Sequence, residues 1–321
     1  MSFQLDRVPR HAPGPGPQTC PRRLAWRMAD ARRSPTRDIW AEWLAQHRHG
    51  GDPEVLREML GHLAGVRDKV LDRAEFAAGE SLLDVGCGEG LIGFGALDRG
   101  AAHVVFSDIS QDLLDFCRET ADALGLSDRC SFVEAPAREL AGVADGSVDV
   151  VTTRSVLIYV VEKEEAFREF FRVLRPGGRV SLFEPINRFG THERRQGFWG
   201  YPSDGLHDLA ERVEGVYEAI QPPTDPMLDF DERDLIRFAE EAGFFPIDLE
   251  LQAEVKWTDP KSWAAFLNSS GNPKIPTIAQ AMDEVLSPAE QEEFAEHLRP
   301  LVEEGRGIWR MATAYLKAVK P

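Results

Sequence analysis

The sequence predicts an α/β fold, a mainly parallel seven-stranded sheet with helices on both faces, and two observations carry it. From residue 81 short apolar runs alternate with helical patterns, and neighbouring parallel strands need a crossover helix between them. The first run ends in Gly86-x-Gly88-x-Gly90, a glycine-rich turn that opens into a helical pattern at Leu91.

The elements follow in order. Residues 1–36 read as a flexible basic extension, rich in proline and glycine around Ala12-Pro13-Gly14-Pro15-Gly16-Pro17. Residues 37–78 read as two helices, one over 38–46 and one capped by Asp52 with Pro53 in its first turn and running toward Phe76. Residues 79–186 supply strands near 81–86, 102–107, 130–134, 148–153 and 178–184, with helices near 91–99, 110–124 and 162–174 between them. In 187–321 the rhythm breaks. A helical pattern over 206–220 stops at Pro222, Pro223 and Pro226; a helix over 231–242 then leads through Gly243 to a strand near 245–252. A second helical insertion, about 260–304, precedes a last strand near 308–317. The first two helices read as an N-terminal lid and the two insertions as a helical cap.

Composition narrows the class. Hydrophobic content of 43% and charged content of 28% suit a globular chain, and no apolar run approaches the ~20 residues of a membrane span. The first ten residues carry no apolar core of the kind a secretory signal needs. Cys20, Cys87, Cys117 and Cys130 form no C-x-x-C pair and read as reduced thiols, which points to a cytoplasmic protein. His47 and His49 would not share a helix face and have no carboxylate pattern beside them, so no metal site is expected. The net charge of −17 disfavours nucleic acid. Residues 1–37 nevertheless hold eight Arg and two Asp. That arm reads as a tail lying on acidic protein surface or forming a homo-oligomer contact, rather than an RNA arm, because Phe3 and Trp26 are its only stacking aromatics.

Glycines in a tight turn let backbone N–H groups approach a ligand closely. About 20 residues on, the run 102–107 ends in Asp108, at the spacing where an acid can hydrogen-bond both hydroxyls of a ribose. The pair says nucleoside cofactor. A dinucleotide site wants G-x-G-x-x-G/A, but the sixth position here is Leu91, and Asp84 would repel a pyrophosphate. A nucleoside that bears an amino acid and its ammonium group accepts that charge.

The string Asp84-x-Gly86-x-Gly88-x-Gly90, Asp108, and Arg175-Pro176-Gly177-Gly178 before a later strand resemble the class I S-adenosylmethionine-dependent methyltransferases, over roughly residues 80–185. The resemblance implies a Rossmann-like sheet closed by an antiparallel last strand, S-adenosyl-L-methionine as cofactor and S-adenosyl-L-homocysteine as product. It also implies that Gly86, Gly88 and Gly90 lie against the methionine part of the cofactor while Asp108 holds the ribose. The family often places an acid after the third strand to contact adenine; here Pro136 stands at that place. The expectation is adenine held by backbone and apolar contact at Ala135, Pro136 and Ala137, or by Glu134 or Arg138.

Ligands of open parallel sheets bind beyond the carboxyl ends of the strands, which adds Asp84, Ile109, Arg154 and Ser155 to the cofactor set. Trp40, at helical spacing from Trp43, is read as a lid contact on the cofactor, with core packing as the alternative. Glu184, Tyr159 and His192 are the candidate catalytic residues; Glu184 can instead pair with Arg188 or Arg154, and His192 can be a solvated loop residue. Asn187, Arg188, Trp199 and Tyr201 are the candidate substrate-binding residues. The aromatic supply of Phe189, Phe198, Trp199, Tyr201, Trp257, Trp263 and Phe266 reads as a pocket for a flat or apolar small molecule, against the alternative of a satellite core. The functional expectation is methyl transfer to a small organic acceptor, aromatic or carboxylate-bearing. A peptide or protein acceptor, and a non-catalytic nucleoside-binding scaffold, are the alternatives.

Overall fold

Strands 1, 4 and 5 lie at the centre of the molecule because they are apolar on both faces: Leu82, Leu83, Val150, Val151, Val180 and Leu182 are all fully buried. The structure is a computed structural model that describes residues 38–47, 53–191 and 197–321. The seven strands are β1 (Ser81–Val85), β2 (His103–Asp108), β3 (Cys130–Glu134), β4 (Val148–Arg154), β5 (Leu174–Pro185), β6 (Ile247–Trp257) and β7 (Ile308–Val319). They stand in the order β3-β2-β1-β4-β5-β7-β6. β1 to β5 pair in parallel, and β7 runs antiparallel to both β5 and β6. The order reverses at β1, which has β2 on one side and β4 on the other. Such a reversal opens a crevice at the carboxyl ends of the strands. This is the expected Rossmann-like α/β fold.

Helices α1 (Ile39–Gln46) and α2 (Pro53–Arg73) precede the sheet. Asp38 caps α1, accepting from the amides of Trp40 and Ala41 at 2.9 Å. Ser181 of β5 and Arg179 hold the end of α2 on the sheet. The hydroxyl donates to Val70 O at 2.8 Å, and the guanidinium donates to Ala74 O at 2.6 Å and to both oxygens of Glu80. Helices α3 (Leu91–Asp98), α4 (Gln111–Leu124) and α5 (Lys163–Val173) make the crossovers. A short helix α6 (Arg188–Thr191) follows β5. The Asp52 cap, the 1–36 extension and the oligomer contact read for it lie outside the described residues.

Two strands depart from expectation. β5 begins at Leu174 rather than near 178, because Leu174 pairs with Val148 and Arg179 with Val150. Arg-Pro-Gly-Gly therefore forms a bulge inside the strand, with Gly177 at φ +79°. β6 runs on to Trp257, because its ladder with β7 continues as a two-stranded ribbon beyond the sheet to Trp257 opposite Ile308.

Helices α7 (His207–Ile220), α8 (Glu232–Ala242), α9 (Trp263–Asn268), α10 (Ile278–Val285) and α11 (Pro288–Glu303) fill the C-terminal part. α8 joins the main core through Leu235, Phe238 and Ala239. The others share a second core of Phe198, Tyr201, Val213, Tyr217, Phe266, Met282, Phe294 and Leu298. Phe198 stacks edge-on against Phe294 at 5.0 Å and Tyr201 against Phe266 at 5.6 Å. No described helix is long and apolar enough to cross a membrane.

Candidate active site

A cavity of about 480 Å³ opens beyond the carboxyl ends of β1, β2 and β4. Its floor is made of strand ends and the turns that leave them: Gly86 and Gly88 after β1, Asp108 and Ile109 at β2, Ala135 to Ala137 after β3, and Arg154 and Ser155 at β4. Ser155 sits at φ +56°, an uncommon conformation for a residue with a Cβ, where the chain turns out of β4. Its amide stays tied to Phe183 O at 2.8 Å.

The two turn glycines that line the cavity, Gly86 and Gly88, have different reasons to be glycine. Gly86 has φ +62°, and a Cβ there would lie 2.3 Å from Val156 Cγ2, so the wall behind the turn excludes a side chain. Gly88 has φ +54°, and its only neighbour within 4 Å of a Cβ would be Leu44 Cδ1 at 3.9 Å. A side chain there would project into the cavity. Asp108 joins this turn to β2: one carboxylate oxygen accepts from the Gly88 amide at 2.8 Å and the other from the Ser110 amide at 3.0 Å. Burial pushes the Asp108 carboxyl above its ordinary pKa, with Asp38 adding to the rise.

Several expected site residues sit behind the cavity wall instead of on it. Asp84 is 2% exposed and does not line the cavity. Its carboxylate accepts from the Gly93 amide at 2.9 Å and from Thr152 Oγ1 at 3.1 Å, so it ties α3 and β4 to the turn. Burial pushes it up to about 7. Gly90 is the N-cap of α3 at φ +80°, where a Cβ would meet the Phe94 ring at 2.6 Å; packing requires it. Glu184 is fully buried. Its Oε1 accepts from the amides of Val156 and Leu157 at 3.0 and 3.1 Å and from Thr153 Oγ1 at 3.2 Å. Burial pushes Glu184 up to about 7. The expectation of a base on the cavity is not met: Glu184 does not line the cavity, its Oε1 fixes the turn after β4, and its Oε2 is buried without a hydrogen-bond partner.

The opposite wall comes from distant chain segments. Trp40, Trp43 and Leu44 of α1 face Tyr159 and Val160, Asn187 and Met227, and Ser270, Gly271 and Lys274. The Trp40 and Tyr159 rings meet edge-on at 4.9 Å. Trp43 Nε1 donates to Ser270 O at 3.0 Å, and Asn187 Nδ2 donates to Met227 O at 3.2 Å. At the other end of α1, the Asp38 amide donates to Asp112 Oδ2 at 2.6 Å, and Ser110, the N-cap of α4, donates to the Asp38 carboxylate.

Ile109, Ala135, Pro136, Ala137, Arg154, Ser155, Trp40, Tyr159 and Asn187 thus lie on the cavity with Gly86, Gly88 and Asp108. Arg138 lines it too, 3.7 Å from Glu162, whereas Glu134 does not. Three substrate expectations are corrected. Arg188 is half-exposed outside the cavity, 3.9 Å from Asp231. Tyr201 is buried in the second core and Trp199 packs against that core, its ring 5.4 Å from Tyr217. The aromatic supply is that satellite core, apart from Phe189 and Trp257, which are exposed. His192 lies outside the described residues. Among those described, no group of three His, Cys, Asp or Glu could hold a metal ion.

Trp43, Met227, Ser270 and Lys274 are absent from the sequence-derived site. The signal that could have found the last two is the break Ser269-Ser270-Gly271-Asn272-Pro273-Lys274 in an otherwise helical insertion.

Comparison with known proteins agrees with this geometry. A family model described as a methyltransferase domain matches residues 83–182. The chain is 28% identical over 180 residues to the ubiquinone/menaquinone biosynthesis C-methyltransferase of Roseobacter denitrificans, covering 56% of this chain and 71% of that one. It is 33% identical over 137 residues to a methyltransferase of Streptomyces halstedii, and 33% identical over 133 residues to the tRNA 5-carboxymethoxyuridine methyltransferase of Escherichia coli K12. These matches cover 43% and 41% of this chain and only 49% and 51% of those proteins. A solved protein of Bacillus halodurans shares the fold at 19% identity with a TM-score of 0.50, covering 79% of this chain and 98% of that one. The chain thus carries a methyltransferase domain over residues 83–182, and its glycine turn, ribose-spaced acid and sheet order are like those of the class I S-adenosylmethionine-dependent methyltransferases.

Proposed function

We propose that the cavity binds S-adenosylmethionine along its strand-end floor and a small organic acceptor against its α1 wall, and that the protein transfers the methyl group between them. One observation carries this: Asp108 Oδ2 on the Gly88 amide at 2.8 Å joins the glycine turn and the second-strand acid into one wall of one cavity. The side-chain-free face of Gly88 admits the methionine portion, Asp108 meets the ribose, and Ile109, Pro136 and Ala137 offer adenine an apolar slot. When bound, the cofactor supplies an electrophilic methyl carbon on a sulfonium. Transfer to a lone pair on the acceptor would leave the electron pair of the broken bond on sulfur.

The residues then have positioning to do. Orienting two reactants in one cavity can supply ~7–11 kcal/mol. Trp40, Trp43 and Tyr159 close the acceptor side, exclude water and hold a flat molecule. Glu184 and Asp84 act through the backbone they fix, and Tyr159, on the cavity wall, is the proposed relay for an acceptor proton on its way to solvent. The relatives act by name on different acceptors, a tRNA uridine among them, so the cavity and not the kinship supports a small molecule.

Isothermal titration with S-adenosylhomocysteine tests the reading. Full-length protein should bind it and not NAD. Asp108→Ala should weaken binding at least about tenfold, on the order of 1.4 kcal/mol, while the protein stays folded by circular dichroism. No uptake by folded wild-type protein would overturn the proposal.

A further inference from the structure

We infer that the acceptor is an organic anion whose negative group is held by Lys274, an inference that rests on the methyltransferase reading of the same cavity. The cavity carries three cations, Arg138, Arg154 and Lys274, against two carboxylates, Asp108 and Glu162, in a chain whose net charge is −17. Arg138 lies 3.7 Å from Glu162. Arg154 is close enough to Asp84 to lower that carboxyl's pKa against the rise from burial. Asp108 is engaged by two amides of the cofactor end. Lys274 is left. No carboxylate among the described residues pairs with it, and it stands with its ammonium 5.8 Å from the centre of the Trp40 ring, on the wall away from the glycine turn.

Its place is fixed rather than incidental. Asn272, 3% exposed, accepts the Lys274 amide on its side-chain oxygen at 2.8 Å and accepts Ser270 Oγ on its carbonyl at 3.2 Å. Trp43 holds Ser270 O from α1. The loop is thus stitched to the lid helix and presents one ammonium beside a Trp–Tyr pair. That combination suits a flat molecule with a carboxylate or phosphate at one end: the rings take the apolar body and Lys274 the charge. A bound sulfonium nucleoside adds positive charge to the cavity, which further favours an anion beside it.

Ligand-observed NMR on full-length protein saturated with S-adenosylhomocysteine tests this with matched probes: 4-hydroxybenzoate against 4-hydroxybenzamide, 4-coumarate against its amide, and phenyl phosphate against phenol. The anionic member should bind at least about fivefold more tightly, the preference should shrink with added salt, and Lys274→Glu should abolish it without changing affinity for S-adenosylhomocysteine. Equal binding of the neutral members, or a preference that survives Lys274→Glu, overturns the inference. Should no pair bind, radiolabelled S-adenosylmethionine and a small-molecule extract split on an anion exchanger decide: label in the retained fraction supports it, and label in the flow-through or in neither fraction overturns it. Failure to bind S-adenosylhomocysteine at all would count against the methyltransferase reading itself, a separate result.

Discussion

The two walls of the cavity are built on different scales. The floor is assembled from strand ends and from backbone amides that meet a carboxylate, as at Gly88 and Asp108, 20 residues apart. The facing wall is assembled from side chains that travel much further, Trp43 to Ser270 being 227 residues apart. Behind that wall the cap has a separate core, in which Phe294 is fully buried. The first wall depends on the sheet alone, whereas the second depends on how helices from both ends of the chain happen to meet.

If the two walls are separate in energy as well as in origin, damage to the cap core should lower stability and spare the cofactor end. Phe294→Ala should cost about 3–5 kcal/mol, as buried Phe truncations do, read as a lower urea midpoint. Affinity for S-adenosylhomocysteine should change less than about twofold at temperatures where the variant is folded, since 1.4 kcal/mol is a tenfold change. Parallel loss of both would mean that the cap and the floor are one cooperative unit, and the comparison would fail.

Within the floor the two glycines separate packing from access. Gly86→Ala drives a Cβ into Val156 and should cost about 1–3 kcal/mol from overpacking, added to about 1–2 kcal/mol for a left-handed backbone. Gly88→Ala meets only Leu44 Cδ1, at an ordinary contact distance of 3.9 Å, and should carry only the second cost. Its affinity for S-adenosylhomocysteine should nevertheless fall about tenfold or more. A Gly88→Ala protein that binds normally would show that the cofactor does not approach this amide.

This division explains what was legible beforehand. The alternation of strands and helices follows from short periodicities, and the glycine turn and Asp108 from a short spacing that residues 81–108 alone display. Asp84 and Gly90 belong to the same motif yet face inward, because a turn's side chains alternate between ligand and scaffold, which spacing does not resolve. Glu184 illustrates the same limit: an acid at a strand end looks catalytic until its Oε1 is seen holding the amides of Val156 and Leu157. Trp199 and Tyr201 were misplaced for another reason. Aromatic clusters fill cores and pockets alike, and only the packing against Phe266 and Tyr217 tells which. Lys274 was invisible because its meaning depends on Trp40, 234 positions earlier.

A further effect distinguishes the walls by pH. Burial raises Glu184 from 4.5 to about 7, so its contribution to stability is full below pH 4.5 and is lost as pH climbs through 7. On the cap side Glu290, paired with Arg212 at 2.6 Å, is held down at about 2, so its contribution is present above pH 4.5 and lost as pH falls through 2. Glu184→Gln removes the first dependence and leaves the second. The stability of this variant relative to wild type, from urea titrations, should therefore rise between pH 4.5 and 8 by an amount on the order of 3 kcal/mol. At acid pH the two proteins should unfold alike, because a protonated carboxyl and an amide both leave one oxygen to accept the Val156 and Leu157 amides. A difference that stays flat across this range would mean that Glu184 titrates like an exposed acid, and that the turn after β4 is far wetter than its complete burial implies.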